Sequence, residues 1–377
     1  MKRVNLLGLV LVALGAAPLA AQDVLTTDPT LPTTRTGTRG AAFLSLGVGA
    51  RAQALAGAYS ALADDVSALY WNTAGIAQLD GFAASVSQAS LYEGLDIKHT
   101  FVGAVLPVGL GRFGVSVNTL DSGEMPWTNE GFPTAGYIDH EGNVGEMDNA
   151  RAPFSWNSLA VAGHYARPVT DRLFVGAAIK YIEEGIPNAK INFVGFDVGT
   201  IFRTGLYGVT LGASLRNLGT NGRMEGKELT TRVDTRNSEA QREWLRIVDY
   251  RMGTAEAQLP TVFQFSVVTD LIGAADALIA PNPTQSLRVV WDLNDAIDTD
   301  MQTALGLEYS LRDIAFLRLG KRWYNEAQIS RDFSHGASFG GGLQFNVGGI
   351  GTIGIDYAYT GMADLENIQV FTIQAKF

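Results

Sequence analysis

The chain has 377 residues, a net charge of -10 and no cysteine. The negative charge makes nucleic acid a poor partner, because binding to phosphates depends on Lys and Arg. The lack of cysteine excludes a disulfide-stapled secreted domain and a lipid-anchored lipoprotein. After residue 21, polar residues interrupt every apolar segment before it reaches 18 residues. This argues against a bundle of membrane-spanning helices.

The N-terminus has the parts of a secretory signal peptide. Two basic residues, Lys2 and Arg3, precede an apolar run from 6 to 17 and then small residues. Segments of this kind direct export and are removed from the mature protein. We therefore predict a signal peptide over residues 1–21 and, because the next segment is rich in Thr and Pro, a flexible linker over residues 22–40.

The next segment, residues 41–80, is rich in Ala and has helical spacing. Asp64 or Asp65 is placed to cap a short helix that leads into Trp71. We predict that this segment is a small helical unit, distinct in its pattern from the rest of the chain.

From Gly81 to Phe377 the sequence has the period of β-strands. Apolar residues alternate with small or polar ones in segments of about 9 to 13 residues, which suits tilted membrane strands. We predict an all-β fold, a transmembrane antiparallel β-barrel of about 14 strands. The predicted strands are 82–90, 97–108, 111–120, 156–167, 171–184, 191–203, 208–218, 260–270, 285–296, 302–312, 315–323, 335–346, 350–360 and 368–377.

The connections between these strands alternate in length, as expected for short periplasmic turns and long outer loops. The long polar links are 121–155, 219–259 and 324–334, and only the link near 271–286 does not fit. A soluble β-sandwich also has alternating strands, but its strands are typically shorter. The pattern therefore favours the barrel.

The last predicted strand ends on an aromatic residue. Phe371, Ile373, Ala375 and Phe377 alternate with polar residues. A final strand that ends in this way resembles the assembly signal of outer-membrane barrels. We therefore expect these four residues to serve in assembly and the protein to lie in the outer membrane.

An ordered motif lies in the N-terminal segment. Residues 45–59 read SLGVGARAQALAGAY, residues 63–65 read ADD, and residues 70–76 read YWNTAGI. This motif resembles the PorV/PorQ family, which is itself similar to FadL, the long-chain fatty-acid transporter. Thr73 stands where the family usually has proline. The motif residues are Gly49, Ala50, Arg51, Gly57, Tyr59, Asp64, Asp65, Tyr70, Trp71, Asn72, Ala74 and Gly75.

The resemblance implies that residues 41–80 fold into the lumen as a hatch and that residues 81–377 form the barrel. A barrel of this width leaks unless it is filled. We expect Arg51, Asp64 and Asp65 to pair with polar residues of the wall, although the wall charges could instead line a water-filled channel. The predicted lumen charges are Lys180, Asp197, Arg216, Asp292, Glu308, Arg312, Arg318 and Asp356.

The sequence contains no pattern that indicates catalysis or a cofactor. The four histidines have no metal-ligand spacing. Ser158 and His164 lie six residues apart on one predicted strand, too far apart to form a catalytic pair. Residues 239–250 in the long polar link could form an amphipathic helix, either as a solvated lid or as a partner-binding surface.

Two classes of function remain, both without enzymatic activity. The resemblance to PorV implies an interaction barrel of type IX secretion, whose partners are secreted cargo proteins or secretion-system subunits. The alternative is a FadL-like transporter that passes hydrophobic small molecules across the outer membrane through a lateral opening in the wall. Its partners would be outer-membrane lipid and a hydrophobic ligand. A general porin is less favoured, because the predicted plug would block free diffusion.

Overall fold

The computed structural model describes residues 39–92, 94–126, 153–234, 247–324, 335–348, 351–362 and 367–377. The predicted signal peptide and nearly all of the predicted linker lie outside these residues. None of the described helices is long and apolar enough to cross a membrane.

The described residues form eighteen strands, and fourteen of them close into one antiparallel barrel. The first half of the chain contributes β1 Ala83–Leu91, β2 Ile97–Val108, β3 Gly111–Asp121, β4 Asn157–Pro168, β5 Leu173–Ile186, β6 Ala189–Arg203, β7 Val209–Gly219, β8 Glu225–Gly226 and β9 Thr230–Asp234. The second half contributes β10 Ile247–Arg251, β11 Val262–Gly273, β12 Ala280–Pro281, β13 Gln285–Ala296, β14 Gln302–Leu311, β15 Ala315–Trp323, β16 Ala337–Val347, β17 Gly351–Gly361 and β18 Asn367–Lys376.

The barrel is closed by two pairings between strands that are distant in the chain. Strand β7 pairs with β11, and β18 pairs with β1. Every other barrel strand pairs with its neighbour in the chain, so β8, β9, β10 and β12 are additions outside the ring. The prediction of a barrel of about fourteen strands is confirmed.

Side chains alternate between the lumen and the outer surface of the barrel. In β18, Phe371 and Ile373 are each 58% exposed, whereas the alternate residues Val370 and Thr372 are buried. The same alternation occurs in β1 and β3. An outer surface of Phe, Leu, Ile and Val side chains is the surface that barrels present to lipid hydrocarbon.

The prediction of a helix within residues 239–250 is wrong for residues 247–250, the part that the structure describes. Residues 247–250 belong to β10, which pairs with β9 in a two-stranded sheet. The segments TTRVD and IVDYR are rich in Thr, Val and Ile, which favour strands over helices. The rest of the predicted helix, including Trp244, lies outside the described residues.

The last strand is clamped to the first at the closing seam. The backbone N–H of Phe377 donates to Phe82 O at 2.8 Å, and the two rings lie 5.9 Å apart. Removing Phe377 is therefore expected to lower the yield of folded barrel far more than replacing an outer aromatic such as Phe345. The heat-modifiable band of the folded protein on a gel measures this yield. Equal folded yields in both variants would contradict the role assigned to the terminal residue.

Candidate functional site

The N-terminal segment from residue 40 to residue 79 is packed inside the barrel. Its central side chains Leu55, Tyr59 and Leu69 are at most 1% exposed. They form one hydrophobic cluster with lumen-facing wall residues such as Val105 and Val290. We call the segment 40–79 the plug.

The plug is less helical than its Ala-rich sequence indicates. It contains two short α-helices, Ala50–Ala54 and Ala68–Trp71, and two 3-10 helices, Ala42–Ser45 and Thr73–Gln78. Turns interrupt the helical spacing, and Gly57 has a φ of +78° in one of them. A side chain at Gly57 would also meet the guanidinium of Arg322.

Polar motif residues brace the plug internally. The hydroxyl of Tyr59 donates to Asp65 Oδ2 at 2.7 Å. Asp65 Oδ1 accepts from the backbone N–H of Ser67 at 2.8 Å, just before the helix Ala68–Trp71. The indole of Trp71 donates to Val48 O at 2.9 Å. These bonds hold the three parts of the motif in one arrangement.

Arg51 joins the plug to the wall. Its Nε donates to Glu308 Oε2 at 2.7 Å and its Nη2 donates to Glu308 Oε1 at 2.9 Å. Arg51 also pairs with Asp64 within the plug. Two parallel bonds between a guanidinium and a carboxylate fix geometry as well as charge, and Glu308 on β14 is only 2% exposed.

The wall continues this ion pair into a larger network. Arg318 on β15 lies 2.8 Å from Glu308 and 2.5 Å from Asp356 on β17. Arg288 on β13 lies 3.0 Å from Asp270 and 3.6 Å from Glu308. We call this group the charge network. Its opposite charges alternate, so each buried charge has a partner.

Burial and charge act in opposite directions on the plug residues of this network. Burial alone lowers the pKa of Arg51, but Asp64 and Glu308 outweigh it and hold the pKa above its usual value. Burial alone raises the pKa of Asp64, but Arg51 and Arg288 outweigh it and lower the pKa. The stability that Asp64 contributes is therefore present above its ordinary pKa and is lost as the pH falls through the lowered one.

The YWNTAGI element makes a second junction with the wall. Asn72 Nδ2 donates to the wall carbonyl of Thr200 and to the plug carbonyl of Ser60, each at 3.0 Å. The Thr73 hydroxyl lies 3.3 Å from His164 Nδ1, and the other ring nitrogen of His164 lies 2.9 Å from Ser116 Oγ. Thr73 thus contacts the wall through its hydroxyl group.

Two aromatic residues of the motif, Tyr70 and Trp71, contact Arg216 of the wall. The guanidinium of Arg216 lies 4.7 Å from the ring centroid of Tyr70 and 5.4 Å from that of Trp71. Gln264 accepts from Arg216 at 3.1 Å and donates to Asp292 at 2.9 Å. A cation over an aromatic face is an attractive contact, and it is stronger where water is excluded.

Other predicted site residues have different environments. Ala50 N donates to Thr372 Oγ1 at 2.8 Å and Gly49 N donates to Ser87 Oγ at 3.3 Å, whereas Ala74 and Gly75 pack in the Thr73–Gln78 helix. Lys180 and Asp197 pair at 2.8 Å within the wall. The prediction for Arg312 is wrong. It lies in the β14–β15 turn with a φ of +55° and is exposed, because the strand ends one residue before it.

Several wall glycines that no sequence motif singles out lie against the plug. A Cβ added at Gly212 would lie 2.6 Å from Ala61 Cα, and one added at Gly176 would lie 2.6 Å from Ala74 N. Similar contacts between plug and wall occur at Gly103, Gly114, Gly199, Gly306, Gly320 and Gly340. At Gly176, Gly212 and Gly320 a Cβ would overlap the plug backbone, whereas at the other five glycines it would meet side chains of the plug. The alternation of each strand could have predicted that these glycines face the lumen. It could not have predicted that the plug lies against them.

Replacing Gly212 with Ala is expected to destabilise the protein by about 1–3 kcal/mol, because the new methyl group would overlap the backbone of the plug. Gly163→Ala is the matched control, since no atom lies within 4 Å of a Cβ at that position. Denaturant unfolding of the two variants in detergent measures the difference. Equal stability would show that the plug can move away without cost.

No family model and no curated protein sequence matches the chain. Solved structures do match it. The toluene transporter TbuX of Ralstonia pickettii is 12% identical, with 88% of this chain and 98% of that chain covered and a TM-score of 0.54. The chain has a FadL-like fold. A FadL homologue of Pseudomonas aeruginosa is 14% identical, with 88% and 98% covered and a TM-score of 0.52. The toluene transporter TodX of Pseudomonas putida is 13% identical, with 87% and 96% covered and a TM-score of 0.53.

This likeness supports the FadL part of the resemblance seen in the sequence, and no comparison supports the PorV/PorQ part. TbuX and TodX are named as toluene transporters. Among the described residues, no group of three or more His, Asp or Glu side chains is placed to hold a metal ion. His164 bonds to Ser116 and not to Ser158, at a buried position between plug and wall.

Proposed function

We propose that the protein is an outer-membrane transporter that passes hydrophobic small molecules through a plugged barrel. The observation that carries this proposal is the match of the whole FadL-like barrel, over 98% of the length of a toluene transporter. In this proposal residues 1–21 direct export, the plug occupies the lumen, and residues 81–377 form the barrel in lipid.

The packing of the lumen supports a hydrophobic solute over a hydrophilic one. Hydrophilic solutes need a water-filled lumen, and here the plug shares a hydrophobic cluster with the wall. A cavity of about 100 Å³ remains between the plug and the loop-side ends of the wall strands. Its apolar lining includes Leu46, Leu91 and Met362. A cavity of about 150 Å³ is known to hold benzene in another protein, so a modest movement would admit a small apolar molecule.

The anchors of the plug are assigned by their contacts. We assign Arg51 and Glu308 as the main link, and Asn72 and Thr73 as the second one, because each joins the plug to a different part of the wall. In this proposal the plug stays in the barrel during transport, and local movements open a path around it.

The secretion function implied by the PorV/PorQ resemblance has less support. Two of the matched structures, TbuX and TodX, are named as toluene transporters, which supports transport of a hydrophobic solute over secretion. Gentle solubilisation and pull-down of the protein would recover a secreted cargo protein if the secretion function were correct. The transporter proposal expects no such partner.

Uptake by whole cells tests the proposed function. Cells whose outer membrane contains the protein are expected to take up toluene from dilute solution faster than cells without it. Fractionation of the same cells should recover the protein with the outer membrane. The proposal is wrong if the protein is recovered in a soluble fraction, or if it inserts and the rates of toluene uptake are equal.

A further inference from the structure

Two opposite charges on the inner face of the wall are held apart by the plug. Asp292 on β13, Ala304 on β14 and Arg322 on β15 lie side by side in the register. Asp292 is 2% exposed and Ala304 is 5% exposed, so this row belongs to the lumen. Neighbouring strands are about 4.8 Å apart, which puts the backbones of Asp292 and Arg322 roughly 10 Å from each other. Their two side chains can together span that distance over the small methyl group of Ala304.

The turn of the plug at Ala56 and Gly57 lies between the two charges. Arg322 Nε donates to Ala56 O at 2.9 Å, and a Cβ added at Gly57 would overlap Arg322 Nη2. On the other side, Gln264 Nε2 donates to Gly57 O at 3.2 Å and to Asp292 Oδ1 at 2.9 Å. The turn thus separates the guanidinium from the carboxylate, and among the described residues neither of them forms an ion pair.

The groups closest to the Asp292 carboxylate are uncharged. Besides Gln264, the backbone N–H of Ser60 and the hydroxyl of Ser266 face it. The charge of Arg322 acts on it from a greater distance. The attraction of a cation in contact offsets the cost of burying a carboxylate. The wall therefore contains the two halves of an ion pair that the plug keeps from forming.

The turn that separates the charges has an unfavourable backbone. Ala56 has a φ of +56° and Gly57 has one of +78°. Ala56 follows the helix Ala50–Ala54 at a position where glycine is usual, because a Cβ disfavours the left-handed region. Such conformations persist where surrounding contacts hold them. Here Arg322 and Gln264 of the wall supply contacts of this kind, so their loss would release the turn.

The turn also borders the loop-side cavity of about 100 Å³. Ala56 and Arg322 both line this cavity, together with apolar residues such as Leu46 and Met362. A solute that enters from the loop side therefore meets the turn before it reaches the centre of the lumen. Displacement of the turn would extend the cavity inward, past the row of Asp292 and Arg322.

We propose that the turn at Ala56 and Gly57 is a latch that opens the path around the plug. In the closed form it separates Asp292 from Arg322. When the turn moves out of the row, Arg322 pairs with Asp292 across Ala304, and this ion pair stabilises the open form. The latch is thus an element with two arrangements, each held by its own contacts. The inference deepens the proposed function, on which it rests, because it names the movement that admits a solute.

Hydrogen exchange of the full-length protein in detergent, measured by mass spectrometry, tests the latch. The backbone N–H of Gly57 donates to Ala52 O at 2.9 Å, so it exchanges when the turn opens. Asp292→Asn keeps the shape of the side chain and can still accept from Gln264, but it cannot form an ion pair with Arg322. Exchange in the peptide that covers the turn is expected to slow by about fivefold or more, because the open form loses its ion pair.

The direction of this effect separates the latch from a structural role. If Asp292 only fastened the plug to the wall, its replacement would loosen the turn and speed exchange. Asp295→Asn is the matched control, because it removes an exposed carboxylate from the same strand, and it should leave exchange at the turn unchanged.

Gly57→Ala acts on the closed form. The added methyl group overlaps the end of Arg322, and a Cβ is strained at a φ of +78°. Exchange at the turn is therefore expected to speed by about fivefold or more. Asp292→Asn should slow exchange in this background too, because the displaced guanidinium then has no carboxylate to receive it.

The outcomes separate this inference from the proposed function. Faster or unchanged exchange in Asp292→Asn overturns the latch, and so does an equal slowing in Asp295→Asn. In that case faster toluene uptake by cells with the unaltered protein would still support the transporter. Slower exchange in Asp292→Asn, with toluene uptake lowered as well, supports the latch. Slower exchange, with toluene uptake no faster than in cells without the protein, overturns the proposed function alone.

Each variant must first give the heat-modifiable band of a folded barrel. If Asp292→Asn does not fold, the comparison of Gly57→Ala with the unaltered protein decides. Exchange at the turn that is no faster in Gly57→Ala overturns the latch, whereas faster exchange together with faster toluene uptake supports it.

Discussion

Deleting residues 41–79 is expected to turn a nearly closed barrel into an ion-conducting pore. The plug lies in the lumen and packs its hydrophobic cluster against the inner face of the wall. Without it, charged groups such as Glu308, Arg318 and Asp356 would face water inside a wide barrel. Because the lumen widens with strand number, the conductance in planar bilayers should rise at least about tenfold.

The full-length protein and the stability control Gly163→Ala provide the comparison for the deletion. Both should stay nearly closed under the same voltage and salt. The deletion variant must first give a heat-modifiable folded band, so that conductance is compared between folded barrels. Equal conductance in the deletion variant and the full-length protein would refute the plug and would favour a general porin.

Replacing Glu308 with Gln is expected to cause the largest loss of stability of any single substitution considered. The change removes a buried carboxylate that Arg51 and Arg318 contact at 2.7 and 2.8 Å. Loss of one partner from a buried ion pair typically costs about 3–5 kcal/mol, because the remaining charges stay buried without compensation. Urea unfolding in lipid or detergent measures the loss, and transient ion conductance should appear as the plug loosens.

An exposed ion pair is the matched control for Glu308. Glu183 pairs with Lys190 at the surface, and Glu183→Gln should change the stability by no more than about 1 kcal/mol. A double variant that also replaces Arg51 with Met should lose less than the sum of the two single variants, since the two side chains interact directly. Additive losses, or equal effects of Glu308→Gln and Glu183→Gln, would contradict the assigned link.

The strands could be predicted from the sequence because apolar and polar residues alternate along them, one set facing outward and the other facing the lumen. In β2 the alternation of residues 97–108 matches the observed strand Ile97–Val108. The end of β14 shows the limit. Period two continues into Arg312, but the chain turns there with a positive φ, and the side chain leaves the lumen. Alternation gives the face of a residue within a strand and cannot locate the turn that ends it.

The contacts of the plug were harder to predict than its presence. Arg51 and Glu308 are 257 residues apart in the chain, and only barrel closure fixes which strand Arg51 meets. The contact between the wall glycines and the plug could not be predicted for a different reason. A glycine in a strand has many explanations, and its role becomes visible only when the plug backbone lies against it.

The most direct test of the account compares two kinds of solute in one set of cells. Uptake of toluene and of a small hydrophilic sugar is measured in cells with the full-length protein, with the variant lacking residues 41–79, and with neither. The account predicts that the full-length protein speeds the uptake of toluene alone, whereas the deletion variant also admits the sugar. Entry of the sugar through the full-length protein, or no effect of that protein on toluene, would contradict a plugged transporter of hydrophobic molecules.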